Sequence, residues 1–209
     1  MYEPPPFREG ERAVQHALIR AHPLGLLITA GPGGLMANPV PFLIETGPDG
    51  EDRLRAHLAR ANPQWRELEA VAECLVAFQG PEAYVTPGWY ATKRETGRVV
   101  PTWNYATVQV RGRPRVTDDP AWLGRQIADL TALQEAPRPE PWAVSDAPPD
   151  FVGAQVRGIV GVEIAVTEIT GKWKMSQNRP EADRAGVVAG LQAAGIGAVA
   201  ALVAARSRP

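Results

Sequence analysis

The alternation of apolar and polar residues along the chain predicts a protein built mainly of short β-strands. The clearest strand covers Trp103–Val116, where successive residues differ in character and so point to opposite faces of a sheet. The apolar face carries Val108, Val110 and Val116, and the polar face carries Gln109, Arg111, Arg113 and Arg115. Because Pro114 cannot donate a ladder hydrogen bond, this end of the strand is expected at a sheet edge or a bulge.

Further apolar stretches of strand length are separated by turn-forming residues. They are Leu24–Thr29, Leu35–Ile44, Arg53–Leu58, Cys74–Gln79, Ala83–Thr86 and Gly158–Met175. The first two flank a glycine-rich turn at residues 31–34, and this arrangement predicts a β-hairpin.

Helical spacing of apolar residues predicts helices at Glu9–Ala21, at about 62–72 and from Asp119 onward. The second begins favourably, with Asn62 as N-cap and Pro63 in the first helical position. Residues 186–205 carry no charge, but the glycines at 195 and 197 favour two short helices over a membrane span. The stretches 87–100 and 136–149 are predicted to be loops.

Six or seven short strands with scattered helices predict an α+β fold of the β-barrel type. No repeat and no clear linker interrupt the chain. We therefore expect a single domain over residues 1–209, with a small helical pair at about 180–206.

Composition narrows the classes of function. The 209 residues contain 22 Lys and Arg against 23 Asp and Glu, a net charge of −1 that disfavours DNA binding by overall electrostatic attraction. The single cysteine, Cys74, lies in an apolar run and is expected to be a buried hydrophobic residue rather than a nucleophile. The first residues lack the layout of a signal peptide, so a cytoplasmic location is expected.

The residues that often carry metal or hydrolytic chemistry are scattered. The three histidines do not pair at ligand spacing, and there is no cysteine cluster, so no metal site is predicted. No Gly-x-Ser-x-Gly segment and no evident carboxylate pair is present, so no catalytic residue is assigned.

Three polar and aromatic clusters are candidates for ligand binding. In Arg55–Trp65 a strand turns into a helix N-terminus, where His57, Arg60 and Asn62 could join free backbone amides in holding an anion; an ordinary helix cap is the alternative. Val99–Tyr105 offers a stacking surface for a planar heterocycle, or an aromatic core plug with Asn104 holding a turn. Gly171–Arg179 gathers donors beside another helix start, or is a solvated strand end.

The three arginines at 111, 113 and 115 share one strand face. They fit a nucleic-acid stripe, but a solvated sheet face with acidic neighbours is favoured because the net charge is near zero.

Long ordered motifs in these clusters resemble the PaiB family, the FMN-binding negative transcriptional regulators of the split-barrel flavoprotein superfamily. The resemblance extends from Met1, Tyr2, Pro4 and Phe7 to the final helices. Its main carriers are His57–Trp65, Phe78–Tyr90, Val100–Tyr105, Gly158–Gly161 and Gly171–Arg179. It implies a six-stranded antiparallel split β-barrel, a homodimer, and FMN at the dimer interface.

The resemblance allows an FMN site to be sketched. The turn Arg60–Asn62, with His57, would take the phosphate, and Met36–Val40, which includes Asn38, would face the ring edge. Thr102, Trp103 and Asn104 would lie alongside, from the same chain or its partner. Lys174, Ser176 and Gln177 would complete the polar rim.

Three functions follow from the resemblance and remain open. The first is negative transcriptional regulation, although no helix-turn-helix pattern is evident. The second is an FMN-dependent oxidoreductase that uses a nicotinamide donor, because FMN itself supplies hydride or electron chemistry. The third is a flavin- or haem-binding sensor without turnover.

Overall fold

The structure, a computed structural model, describes residues 1–206. The strands are β1 (Arg8–Glu9), β2 (Leu24–Gly31), β3 (Gly34–Pro41), β4 (Leu43–Thr46), β5 (Asp52–Ala59), β6 (Cys74–Val85), β7 (Thr102–Thr117) and β8 (Ile159–Lys174). The helices are α1 (Arg12–Ala21), α2 (Gln64–Ala70), α3 (Ala91–Thr96), α4 (Pro120–Glu135), α5 (Pro149–Arg157), α6 (Glu181–Ala193) and α7 (Gly197–Ala205). Single 3₁₀ turns lie at Pro5–Phe7, Pro87–Trp89 and Val144–Asp146.

The strands form one antiparallel sheet in the order β3-β2-β6-β7-β8-β5-β4, with β1 paired to β8. The expected α+β split-barrel class is confirmed. The expected number of six strands is wrong within the described residues, which form eight. The segment expected as one strand at 35–44 divides at Phe42 into β3 and β4, and the short β1 was not expected.

The two strands expected at 74–79 and 83–86 are one continuous strand, β6. Gly80 and Pro81 indicated a turn between them, but the chain runs on without turning. A Cβ on Gly80 would lie 2.9 Å from the Leu18 side chain and 3.2 Å from the Ala106 carbonyl oxygen. Glycine is therefore needed here for close packing rather than for a turn.

The chain divides into two compact units. The first contains Met1–Leu18, Gln79–Val108 and the segment from Thr170 onward, and the second contains Ile19–Phe78 and Gln109–Ile169. Strands β6, β7 and β8 each contribute residues to both units.

In the second unit the core lies between the sheet and its helices. The β2–β3 hairpin pairs from Leu24 and Pro41 to Gly31 and Gly34, as the glycine-rich turn predicted. Helix α2 packs against β2, where Leu27 is fully buried. Helix α4 lies over β5 and β8, and the Trp122 ring occupies the space that a Cβ on Gly161 would need.

In the first unit α6 and α7 pack together and close the described chain. Helix α6 also holds the Pro87–Trp89 turn, because Gly186 and Gly190 allow Trp89 to approach the helix backbone. The buried Asp183 carboxylate accepts hydrogen bonds from the Thr92 backbone amide and hydroxyl, which fixes the start of α3. None of the helices in residues 1–206 is long and apolar enough to cross a membrane.

Two helices, α3 and α5, lie in segments for which the sequence predicts no helix. Prolines at 148 and 149 indicated a loop, yet Pro149 is the first residue of α5, where its missing N–H costs nothing. Helix α3 has only six residues and ends at Gly97, whose φ of 68° terminates it. Neither is long enough to show a clear helical period in the sequence.

Two helical glycines provide a matched test of packing. A Cβ at position 186 would lie 2.0 Å from the Trp89 carbonyl oxygen, whereas a Cβ at position 124 in α4 meets nothing within 4 Å. We expect Gly186→Ala to destabilise the protein by about 1–3 kcal/mol. We expect Gly124→Ala to stabilise it by about 0.5–1 kcal/mol through the higher helix propensity of alanine. Urea denaturation of both variants measures the difference, and equal effects would contradict the packing.

Candidate functional site

The ten residues expected to bind cofactor fall into both units. The second unit contains Asn38, His57, Arg60 and Asn62, and the first contains Thr102, Trp103, Asn104, Lys174, Ser176 and Gln177. Within each unit the structure connects some of these residues directly and separates others.

The start of α2 links Asn62 to Asn38 through a residue that the sequence analysis did not select. The Asn62 Oδ1 accepts a hydrogen bond from the Gln64 backbone N–H at 3.0 Å, so Asn62 caps the start of α2. The helix begins at Gln64, one residue after the Pro63 start that the sequence predicted. The fully buried Gln64 side chain donates from Nε2 to the Leu27 carbonyl oxygen at 2.9 Å and accepts at Oε1 from Asn38 Nδ2 at 2.9 Å. One carboxamide therefore joins α2 to both strands of the hairpin. The only sequence signal for Gln64 was its position within the His57–Trp65 motif.

Arg60 is already engaged by protein groups. Its guanidinium pairs with the Asp118 carboxylate at 2.9 Å and donates to the carbonyl oxygens of Arg157 and Ile159, at the end of α5. The backbone amides of Arg60 and Asn62 donate to the carbonyls of Gly158 and Ala59. The turn therefore does not offer the free Arg60 and Asn62 amides that the expectation assumed. A phosphate at Arg60 would have to compete with Asp118.

His57 lies on the face of β5 that α4 covers. It pairs across the sheet with Gly161, which lies against Trp122 of α4. Its Nδ1 is buried without a hydrogen-bond partner among residues 1–206, and burial lowers the pKa of the imidazole below 6.5. The imidazole is therefore held in its neutral form near neutral pH.

Lys174 is the most distinctive cation of the first unit. Its ammonium group donates to the Thr102 hydroxyl and the Trp103 carbonyl oxygen, which brings together three of the expected residues. No ion pair of Lys174 occurs within the described residues. Burial first, and then the positive charges of Lys172 and Arg179, lower the pKa of this amine. Lys174 is thus a half-buried cation with like charges nearby and no carboxylate partner among residues 1–206.

Asn104 and Ser176 form a buried polar pair. The Asn104 amide and the Ser176 hydroxyl are linked at 3.0 Å and 3.2 Å, and Asn104 is fully buried. Ser176 has a φ of 63°, in the left-handed region that serine seldom adopts. Gln177 supports this turn, because its side chain bonds to the backbone of Trp173 and Met175. Asn104 thus holds a turn, as the alternative interpretation of its cluster stated.

Trp103, next to the buried Asn104, is open to solvent. About half of its surface is exposed, as is about half of that of Tyr84, and the two rings meet edge to face with centroids 6.0 Å apart. Two exposed aromatic rings in contact provide a surface on which a planar ligand can stack.

One face of the β2–β3 hairpin is apolar and exposed. Leu26 pairs with Pro39, Ile28 with Ala37 and Ala30 with Leu35, so these side chains share one face. Leu24 is 63% exposed and Leu35 is 83% exposed. A contiguous apolar face of this kind marks an interaction surface.

The arginines of β7 have acidic neighbours. Arg111 pairs with Glu73 at 2.9 Å and with Glu168 at 3.5 Å, and Arg115 pairs with Glu163 at 3.2 Å. These ion pairs support the interpretation of a solvated sheet face.

Cys74 is buried, as its apolar surroundings predicted. Burial, with a smaller contribution from Glu73, raises its thiol pKa to about 12. A thiol that stays protonated at neutral pH is not an activated nucleophile.

Comparison with known proteins decides the family. A family model described as "putative FMN-binding domain" matches residues 1–168. The chain belongs to this FMN-binding family. One similar protein is the protease synthase and sporulation protein PAI 2 of Bacillus subtilis, which is 31% identical over 92% of this chain and 89% of that protein. The PaiB-like resemblance is therefore confirmed.

Other similar proteins extend the FMN-binding family and its fold. An uncharacterised protein of Emericella nidulans is 36% identical over 88% of this chain and 87% of its own length. Among solved structures, a conserved hypothetical protein of Mycobacterium tuberculosis has a TM-score of 0.60 at 13% identity, covering 87% of this chain and 95% of that one. The flavocytochrome Anf3 of Azotobacter vinelandii has a TM-score of 0.57 at 16% identity, covering 80% and 69%. These two structures support the fold alone.

The groups in this chain match the chemistry of a flavin mononucleotide. Its phosphate requires a cation that the protein does not already neutralise, and Lys174 meets that requirement. Its ring requires an aromatic or apolar surface, and Trp103 with Tyr84 provides one. When bound, FMN supplies hydride or electron transfer, while the protein supplies binding, orientation and electrostatics.

Burial of His57 predicts a pH effect on stability. Its folded-state pKa is below the unfolded value of about 6.5, so the unfolded chain takes up more protons as the pH falls. The stability that depends on keeping His57 neutral is fully present above pH 6.5, and it is lost as the pH falls through the folded-state pKa. We expect His57→Gln to lose less stability than the unsubstituted protein between pH 7.5 and pH 5. Urea denaturation across this range measures it, and parallel curves would contradict the burial of His57.

Proposed function

We propose that this protein binds FMN as a cytoplasmic homodimer and acts as a PaiB-type negative regulator whose output depends on the flavin. The observation that carries the flavin assignment is Lys174, a half-buried amine without a carboxylate partner in the described chain. Membership of the FMN-binding family supports it. The ten cofactor contacts that the sequence predicts stay predictions, with one change: the phosphate is proposed at Lys174 and not at Arg60.

The phosphate is proposed to bind at Lys174 in preference to Arg60. Arg60 has a carboxylate and two carbonyl oxygens around it, so an incoming phosphate gains little there. Within the part of the chain that the structure describes, the Lys174 ammonium group contacts only neutral acceptors, and Lys172 and Arg179 add positive potential nearby. A dianionic phosphate would relieve the repulsion among these cations and form charge-assisted hydrogen bonds.

The regulatory part of the proposal rests on the relative from Bacillus subtilis, whose name refers to protease synthesis and sporulation. The paired arginines of β7 and the net charge of −1 do not favour a broad DNA-binding face. We therefore propose that regulation proceeds through a protein partner or through the redox state of the flavin.

An FMN-dependent oxidoreductase with a nicotinamide donor is the second candidate. Membership of the FMN-binding family supports it, because a bound FMN itself supplies hydride or electron transfer. A sensor without turnover is the outcome if neither reduction nor DNA binding is observed.

The homodimer is proposed to form through the apolar face of the β2–β3 hairpin. An exposed apolar sheet face that includes the edge strand β3 is stabilised when a second copy covers it. A second copy is the natural occupant because family resemblance implies a homodimer.

The flavin assignment is tested by titrating the protein with FMN and following flavin fluorescence. We expect Lys174→Gln to weaken FMN binding by about tenfold, because it removes one charge-assisted hydrogen bond. Lys93→Gln, at an exposed position of α3 in the same unit, is the control and should leave the affinity unchanged. No FMN binding by the unsubstituted protein would refute the proposed function, and equal affinities would refute only the phosphate position.

The choice between regulator and enzyme uses the FMN-loaded protein. Bleaching of the flavin absorbance on anaerobic addition of NADPH, with turnover, favours the oxidoreductase. Specific retardation of a promoter fragment at physiological salt favours direct repression instead of the indirect route proposed here.

The dimer is tested by a pair of substitutions at equally exposed leucines. Leu26, on the apolar hairpin face, and Leu133, on α4, are each 40% exposed. We expect Leu26→Glu to shift the protein from dimer to monomer, because it places a charge within the proposed interface. Leu133→Glu should leave the dimer intact. Light scattering after size-exclusion chromatography measures both masses, and a monomeric unsubstituted protein would overturn the proposal.

A further inference from the structure

The amide group of Asn38 has a defined orientation, and that orientation specifies a ligand chemistry. We infer that Gln64 is a positioning residue that holds the Asn38 Oδ1 atom ready to accept a hydrogen bond from an N–H at the edge of the ligand. The inference rests on the proposed function, which supplies the flavin. Beyond that function, it assigns one protein atom, Asn38 Oδ1, to one edge of the ring.

The orientation follows from a carbonyl oxygen whose role is unambiguous. The Leu27 carbonyl can only accept, so the Gln64 atom 2.9 Å away must be the donating Nε2. The other end of that carboxamide is then Oε1, which can only accept. The Asn38 atom 2.9 Å from Oε1 must therefore be the donating Nδ2.

The remaining atom of Asn38 is thereby an acceptor. No donor among residues 1–206 bonds to Asn38 Oδ1, and this oxygen is not one of the buried atoms without a partner. It is consequently open to solvent or to a ligand. If the Asn38 amide flipped, its oxygen would face the Gln64 Oε1 atom, so two acceptors would meet; the Gln64 contact therefore disfavours the reverse orientation.

Burial makes Gln64 a rigid support. Its side chain is fully buried, and longer contacts at 3.4 Å to the Thr29 hydroxyl and the Met36 carbonyl surround the same Nε2. A buried carboxamide with both ends paired has little freedom to rotate, because leaving either end unpaired is costly. The Asn38 amide is therefore fixed through its Nδ2 atom by Gln64, while its Oδ1 atom remains available to a ligand.

The acceptor selects one edge of a flavin. Around the oxidised isoalloxazine ring the carbonyl oxygens and the N1 and N5 atoms accept hydrogen bonds, and N3–H is the ring's donor. An outward acceptor at Asn38 therefore matches N3–H. An amide held in the opposite orientation would match the ring's acceptors instead.

The experiment compares the affinity of FMN with that of N3-methyl FMN, which lacks the N3–H donor. We expect the unsubstituted protein to prefer FMN by about tenfold, in line with the loss of one hydrogen bond that leaves an acceptor unpaired. Asn38→Leu should bind the two flavins equally. Equal binding of both by the unsubstituted protein would overturn the inference, even though FMN binding itself would stand.

Gln64 variants separate positioning from folding. Gln64→Glu keeps an acceptor facing Asn38 Nδ2 and should retain the preference for FMN, even if it lowers stability. Gln64→Leu releases the Asn38 amide and should reduce the preference to within about threefold. Gln126→Leu is the matched control: Gln126 is also fully buried, its amide has no partner in the described chain, and its loss should not alter the preference.

A readout in the ligand-free protein keeps this test independent of flavin binding. The side-chain NH₂ signals of Asn38 in a ¹⁵N spectrum, identified by their absence in Asn38→Leu, should shift in Gln64→Leu and stay in place in Gln126→Leu. Unchanged signals in Gln64→Leu would overturn the positioning role. If the unsubstituted protein binds neither flavin, the ligand assignment falls together with the proposed function, whereas the spectrum still decides the role of Gln64.

Discussion

The buried carboxamide of Gln64 is the interaction on which the local architecture of the hairpin depends. Burying a polar side chain is costly unless its donors and acceptor are paired, and Gln64 finds its partners at Leu27 on β2 and at Asn38 on β3. These bonds fix helix α2 against the hairpin and fix the hairpin strands to each other. The exposed apolar face on the opposite side of the hairpin is therefore presented by a rigid support.

In the first unit, too, a buried pair of polar side chains holds the backbone in place. Asn104 and Ser176 are buried and satisfy each other, and this pairing holds Ser176 in a left-handed conformation. A strained turn persists only where its surroundings determine it. The turn directly follows Lys174, so buried hydrogen bonds nearby help to set the position of the Lys174 amine, which itself donates to Thr102 and Trp103.

The difference between Arg60 and Lys174 shows why charged residues cannot be assigned from their type alone. Both lie where a strand ends, and both belong to polar clusters of the sequence. Arg60 meets a carboxylate and the carbonyl end of α5, whereas Lys174 meets a hydroxyl and one carbonyl. Of these two cations, Lys174 is the one without a carboxylate partner among residues 1–206, so its charge is available to a ligand. The sequence could not distinguish them, because Asp118 and Arg157 are distant from Arg60 along the chain.

The sequence by itself determined the strand alternation of β7, the hairpin at β2 and β3, the cap at Asn62 and the family, because each depends on neighbouring residues or on an ordered motif. The tertiary structure decided that Gly80 packs against Leu18 instead of turning, that Pro149 begins a helix, and that Gln64 orients Asn38. These features depend on which distant atoms come within about 3 Å, the range of a hydrogen bond or a steric contact. Periodicity reports local geometry, and long-range proximity is created only when the chain folds.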